Sequence, residues 1–127
     1  MCNKLHPDSQ PIPESGMGWK IFKYEKGELL PMTYVEGFDI PYQKSDSRWI
    51  KWLPRIWNSK RGDLGFCFLL SGKTADSLLA LWSNHHESCV IREIEYKKGL
   101  GHHLEDHIIS DEPFDIALCQ EFRIVEE

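Results

Sequence analysis

Residues 65–70 are Gly-Phe-Cys-Phe-Leu-Leu, and residues 71–83 continue as Ser-Gly-Lys-Thr-Ala-Asp-Ser-Leu-Leu-Ala-Leu-Trp-Ser. The first six residues form a continuous apolar run, which is typical of a strand that is buried on both faces. In the segment that follows, apolar side chains recur at helical spacing. These are Ala75, Leu78, Leu79 and Trp82. The stretch therefore predicts a buried strand followed by the principal helix of the fold.

Strand patterns lie on both sides of this stretch. Residues 19–24 predict a strand with Trp19 and Ile21 on one face and Phe22 and Tyr24 on the other. A turn at residues 25–28 leads into a second predicted strand at residues 29–35, and the two strands predict a hairpin. Residues 89–96 predict another strand, and residues 97–113 predict a polar loop because they contain glycines and histidines. A C-terminal strand is predicted from apolar residues of one parity. They are Ile116, Leu118, Phe122 and Ile124.

This order of elements predicts an α+β fold, in which a small mixed or antiparallel sheet has one principal helix packed on a face. Residues 71–88 are long enough for a crossover, so a parallel β-α-β unit and an antiparallel return are both open. Residues 1–16 are rich in proline and predict a flexible N-terminal arm. Residues 17–127 predict a single globular α+β domain.

Composition excludes several classes of protein. The 127 residues are 41% hydrophobic, 28% charged and 12% aromatic, which is typical of a folded domain and not of a disordered chain. No apolar run approaches the roughly 18 residues of a membrane span, and no apolar signal region follows Met1. We therefore expect a cytoplasmic protein that does not enter a membrane. Its four cysteines are expected to be reduced thiols.

A basic, tryptophan-rich segment at residues 44–61 is the strongest functional signal. It has six Lys or Arg residues against one acid, and three of the five tryptophans. Cations among aromatic rings are suited to an anionic ligand, a nucleotide or a protein partner. The alternative is that the rings pack under the sheet while the cations reach solvent. The candidate binding residues are Arg48, Trp49, Lys51, Trp52, Arg55 and Trp57.

The remainder of the chain is acidic. The net charge is −5, so a segment of +5 leaves −10 elsewhere, and residues 99–127 contain eight acids and one arginine. This balance disfavours binding to duplex nucleic acid, whose affinity depends on phosphate neutralisation. Opposite charges in different segments favour self-association, so a homodimer is predicted.

Histidines and a cysteine form a second candidate site. His86, Cys89, His103 and His107 lie in one stretch, and imidazole and thiolate are zinc ligands. Their spacing matches no compact zinc signature, and the alternative is that these histidines are solvated. No cofactor is otherwise expected.

Several short segments carry a resemblance to known proteins: residues 19–22, 27–30, 34–37, 65–68 with Ala75, and 90–94. Through them the chain resembles a group of small bacterial and phage proteins of unknown function. The resemblance covers roughly residues 18–125 and implies a shared fold, but no activity. Members often have a histidine after the Gly-Phe pair, where this chain has Cys67.

Motifs of common enzymes are absent from the sequence. The strand, helix, strand order is similar to that of small ADP-ribosyl-transfer folds, for which Tyr34, Tyr42 and Glu121 could be recruited. We expect instead a non-catalytic binding protein, an inhibitor or sequestering protein from a phage or mobile element. It would act through the basic segment and an acidic surface. The alternative is a small enzyme or metal-binding protein that uses the histidine and cysteine cluster.

Overall fold

A computed structural model describes residues 5–30, 49–52, 64–83, 89–105 and 113–125. Those residues form six strands and one helix. In chain order they are β1 (Ser15–Glu25), β2 (Glu28–Leu30), β3 (Ile50–Lys51), β4 (Phe66–Leu69), α1 (Gly72–Ser83), β5 (Cys89–Glu105) and β6 (Phe114–Ile124).

The strand pairs close into a ring. Strand β5 pairs with β1 through residues 89–97 and with β6 through residues 94–105. On the other side, β4 pairs with β6 and meets β1 where Leu69 lies opposite Trp19. The order β1–β5–β6–β4 thus returns to β1. Outside this ring of four strands, β2 pairs with β1, and β3 pairs with β6.

The predicted α+β class is wrong, because the described residues are mostly antiparallel sheet with one short helix. The main cause lies in β5, which continues to Glu105 through residues predicted as a loop. Lys98 has a φ of 55°, and the register with β6 shifts between Gly99 and Gly101. Such an irregularity bends a strand without ending it. The parallel alternative is also excluded for these elements, since β5 pairs antiparallel with β1 and β6.

Two apolar clusters lie on the two faces of the ring. The helix α1 packs on the outer face, where Ala75 and Leu78 meet Ile21, Leu69 and Ile116. The inner face holds the larger core. Adjacent residues such as Ile21 and Phe22 are therefore buried on opposite faces of the ring. The inner core residues are Phe22, Leu29, Phe68, Ile94, Tyr96, Ala117, Cys119, Phe122 and Ile124.

The predicted C-terminal strand is confirmed as β6, but its apolar residues of one parity do not all lie on one face. Ile116 faces the helix, whereas Phe122 and Ile124 face the inner core together with Cys119. The change of face along β6 lies opposite the irregular part of β5 near Lys98. A bend in one strand therefore reverses which residues of its neighbour are buried.

The chain has a defined backbone conformation or defined backbone contacts at both ends of β1. At the hairpin with β2, Lys26 and Gly27 have φ values of 52° and 78° between the paired residues Glu25 and Glu28. Two successive positive φ angles are typical of a type I′ turn. Before β1, Gln10 and His102 exchange two backbone hydrogen bonds of 2.7 and 2.8 Å. This part of the segment predicted as an arm thus lies along β5, and its flexibility stays a prediction.

Within the described ranges, no helix has the length and apolar character needed to cross a membrane.

Candidate functional site

Strand β3 separates the candidate binding residues by face. Ile50 lies opposite Phe122, which is an inner core residue, and Lys51 lies opposite Glu121. Because side chains alternate along a strand, Trp49 and Lys51 share the outer face. Trp52 points the other way and meets Phe66 edge-on, with ring centroids 5.1 Å apart.

The outward-facing indole side chain of Trp49 is contacted by two cations. The Nζ atom of Lys97 lies 4.0 Å from the ring centroid, and Cζ of Arg123 lies 5.4 Å from it. These distances are within the range of cation–π attraction, which is strongest for tryptophan. Lys97 belongs to β5 and Arg123 to β6, so three strands contribute to one surface. We call Trp49, Lys51, Lys97, Lys98 and Arg123 the outer basic face.

The charges of this face are only partly compensated. Arg123 donates a hydrogen bond of 3.1 Å to Glu95, and Nζ of Lys98 lies 3.4 Å from Oε1 of Glu121. Lys51 and Lys97 are exposed. Neither has a carboxylate within ion-pair distance in the part of the chain that the structure describes. The outer basic face therefore presents two exposed ammonium groups beside a half-buried tryptophan.

Sequence reasoning missed three of these residues because they lie outside the tryptophan-rich segment. A signal was present, since residues 93, 95 and 97 and residues 121 and 123 carry charges at alternate positions. Alternate charges mark the solvent face of a strand. Three predicted binding residues lie outside the described ranges: Arg48, Arg55 and Trp57.

The metal candidates are not brought together where they are described. Cys89 and His103 lie fourteen residues apart near opposite ends of β5, and a strand rises about 3.3 Å per residue. His86 and His107 lie outside the described ranges. Among the residues that the structure describes, no three His, Cys, Asp or Glu side chains form a group that could hold a metal ion. A zinc site stays a prediction.

The histidines of β5 have specific partners. The rings of His103 and His6 stack with centroids 4.7 Å apart, and Nε2 of His103 lies 3.4 Å from Oε1 of Glu105. Nδ1 of His102 lies 2.7 Å from Oδ1 of Asp115. These contacts join the N-terminal segment and the ends of β5 and β6. Of the residues considered for ADP-ribosyl transfer, Tyr34 and Tyr42 are not described, and Glu121 is a buried partner of Lys98.

Two thiols have environments that suppress ionisation. Burial raises the pKa of Cys119 to about 12, although the nearby Lys20 opposes this shift. Burial also raises the pKa of Cys89, against the effect of Lys23. The thiolate is the nucleophilic form of cysteine. At neutral pH, Cys119 and Cys89 are therefore protonated and poorly reactive.

Comparisons with models of protein families, with curated proteins and with solved structures find no match for this chain. The resemblance to small bacterial and phage proteins therefore stays a prediction, and functional inference depends on the geometry described above.

Proposed function

We propose that this protein is a non-catalytic binding protein whose outer basic face holds an acidic segment of a partner protein. The observation that carries the proposal is the Trp49 ring, contacted by Lys97 and Arg123 beside an exposed Lys51. Tryptophan and arginine are the residues that most often dominate the binding energy of protein interfaces. The acidic partner would supply the carboxylates that Lys51 and Lys97 lack among the described residues.

An acidic peptide suits this face better than a nucleotide. The ammonium group of Lys97 already lies 4.0 Å from the Trp49 centroid, so a base stacking on the same side would have to displace it. Carboxylates can instead bind the cations from outside and leave the cation–π contact in place. The result is an interface of a central ring surrounded by charge pairs.

The scaffold under the face favours tight binding. Lys97 and Arg123 lie on strands that pair with each other through residues 94–105 and 114–124. Both strands contribute to the inner core, so their outer side chains are held by a rigid sheet. A pre-organised surface loses little entropy on binding. This property suits an inhibitor or a sequestering protein, whose function is to hold its partner.

Binding of a fluorescein-labelled decaglutamate peptide tests the proposal. Trp49→Ala and Lys97→Gln should each weaken binding at least tenfold, which is about 1.4 kcal/mol. Lys26→Gln, an exposed charge at the β1–β2 turn, is the matched control and should change binding less than twofold. Circular dichroism of each variant verifies the fold.

Two results would refute the assignment. If Lys26→Gln weakens binding as much as Lys97→Gln, the peptide responds to net charge and not to this face. If adenosine monophosphate binds at Trp49 and the peptide does not, the face recognises a nucleotide.

A further inference from the structure

Two cations lie directly opposite each other on the inner face of the ring. In the β1–β5 pairing, Lys20 is the partner of Arg92. The next inner pair on β1 and β5 is Phe22 with Val90; Phe22 belongs to the inner core, and Val90 packs against that core. Directly opposed residues of an antiparallel pair share a face, with Cβ atoms about 5 Å apart. Lys20 and Arg92 therefore extend from neighbouring positions toward the interior, and each is partly buried.

Lys20 has a structural role that accounts for part of its charge. Its Nζ donates a hydrogen bond of 2.7 Å to the carbonyl oxygen of Cys67 on β4. The same atom lies 5.9 Å and 5.8 Å from the ring centroids of Phe66 and Phe122. The ammonium thus links β1 to β4, whose described residues pair through Trp19 and Leu69 alone.

Arg92 has no comparable contact with another strand among the described residues. Its guanidinium donates a hydrogen bond of 2.9 Å to the carbonyl oxygen of the adjacent residue, Ile91. A guanidinium has five N–H donors, so this contact leaves most of them available. No carboxylate of the described ranges lies within ion-pair distance of Arg92 or Lys20. Like charges directly opposed on a sheet are destabilising, and partial burial adds a desolvation cost.

We propose that Lys20 and Arg92 form a binding site for a phosphate group at the inner face of the ring. Two neighbouring cations match an anion of charge near −2, which a phosphate monoester carries at neutral pH. The planar fork of Arg92 can bind two phosphate oxygens at once, while Lys20, its partner across the strand pair, supplies a point charge.

This site is separate from the outer basic face. Arg92 points inward from β5, while Lys97 on the same strand has the opposite parity and contacts Trp49. The two sites can therefore be removed independently, and failure of one proposal leaves the other standing.

Thermal unfolding at constant ionic strength tests the phosphate site, with inorganic phosphate as the probe and chloride as the reference anion. The wild-type Tm should rise by about 5 °C when phosphate is tenfold above its dissociation constant. Arg92→Met should abolish this rise, because the fork is lost. Lys97→Gln should keep the rise in Tm, and should weaken only the binding of the decaglutamate peptide.

Stability without phosphate gives a second readout. Arg92→Met removes the opposed charge, so in chloride alone its Tm should equal or exceed that of the wild type. Adenosine monophosphate in place of phosphate identifies the source of the group. If adenosine monophosphate raises the Tm more than phosphate does at equal concentration, the bound phosphate group belongs to a nucleotide. If the two rises are equal, the ligand is the free phosphate ion.

The proposal is overturned if phosphate leaves the wild-type Tm unchanged, or if Arg92→Met shows the wild-type rise. A lower Tm for Arg92→Met in chloride, together with an unaltered response to phosphate, would give the arginine a structural role only.

Discussion

Trp49 and Trp52 are three residues apart and have different roles, because the alternation of a short strand directs one outward and the other inward. Trp49 meets the cations Lys97 and Arg123, and Trp52 meets the edge of Phe66. The sequence left packing and binding open for every ring of this segment, because the spacing of Trp49 and Trp52 also fits a helix. Which ring faces solvent depends on pairing with Phe122, 72 positions after Ile50 in the chain.

The two tryptophans should therefore differ in their effect on stability. Trp52→Ala removes a ring that packs on Phe66, and we expect the free energy of unfolding to fall by about 2–3 kcal/mol. Trp49→Ala removes a surface cation–π contact and should cost about 1 kcal/mol or less. Urea unfolding of both variants measures the difference. Equal losses would mean that the Trp49 ring contributes as much packing energy as the Trp52 ring.

The buried thiol of Cys119 should make stability depend on alkaline pH. Its pKa is about 12 in the folded protein, above the ordinary value of 9.0, so the folded state favours the protonated thiol. The resulting stabilisation is fully present below pH 9, falls as the unfolded thiol ionises, and is lost by pH 12. A shift of this size corresponds to roughly 3–4 kcal/mol.

Cys119→Ala isolates this contribution, because the other groups that titrate above pH 9 remain in the variant. Urea unfolding at pH 8, 9 and 10 should show a smaller loss of stability with rising pH for the variant than for the wild type. Parallel curves for the two proteins would show that Cys119 ionises equally easily in both states.

At the scale of elements, sequence patterns predicted correctly the strands, the turn and the helix that depend mainly on residues close together in the chain. The strand over residues 19–24, the turn at residues 25–28, the apolar strand before the helix and the helix itself are confirmed. The extension of β5 was missed because glycines and histidines are typical of loops. In this protein Gly99 faces Pro13 and Ile12 so closely that a Cβ atom would collide with them. The glycine signals a close approach of the N-terminal segment and not the end of a strand.

The type I′ turn of the first hairpin contains one unsuited residue. Lys26 has a φ of 52°, which is costly for a side chain other than glycine, asparagine or aspartate. Lys26→Asn should raise the free energy of unfolding by about 0.5–1 kcal/mol, and Gly27→Ala at a φ of 78° should lower it by about 1 kcal/mol. Thermal unfolding measures both effects. A loss of stability in Lys26→Asn would show that this turn does not keep its geometry in solution.

At the scale of the whole molecule, closure of the ring and assembly of the two candidate sites are the features that the sequence could not reveal. Strand β1 pairs with β5 about 75 residues later, and the register of that pairing opposes Lys20 and Arg92. A net charge of −5 likewise conceals a basic face built from three strands. Local propensity contains no information on such contacts, because they depend on which strands become neighbours.

Closure of the ring depends on two glycines: Gly65, directly before β4, and Gly18, within β1. A Cβ atom at Gly65 would fall on the backbone carbonyl of Cys119 in β6, and one at Gly18 would fall on the ring of Phe68. The backbone of Cys119 cannot move without disturbing the β4–β6 pairing, whereas the Phe68 ring is fully buried and can shift only by repacking the core. Gly65→Ala and Gly18→Ala should therefore each lower the free energy of unfolding by about 2 kcal/mol or more.

Gly27→Ala is the matched comparison, since a Cβ atom there meets nothing within 4 Å and its cost is confined to the turn. Hydrogen exchange distinguishes the two kinds of loss. Gly65→Ala should increase exchange across β1, β4, β5 and β6 together, because opening one junction of a ring weakens each pair in it. Gly27→Ala should increase exchange mainly in the hairpin. If exchange in Gly65→Ala rises in β4 alone, the strands form an open sheet in which β4 is an independent edge.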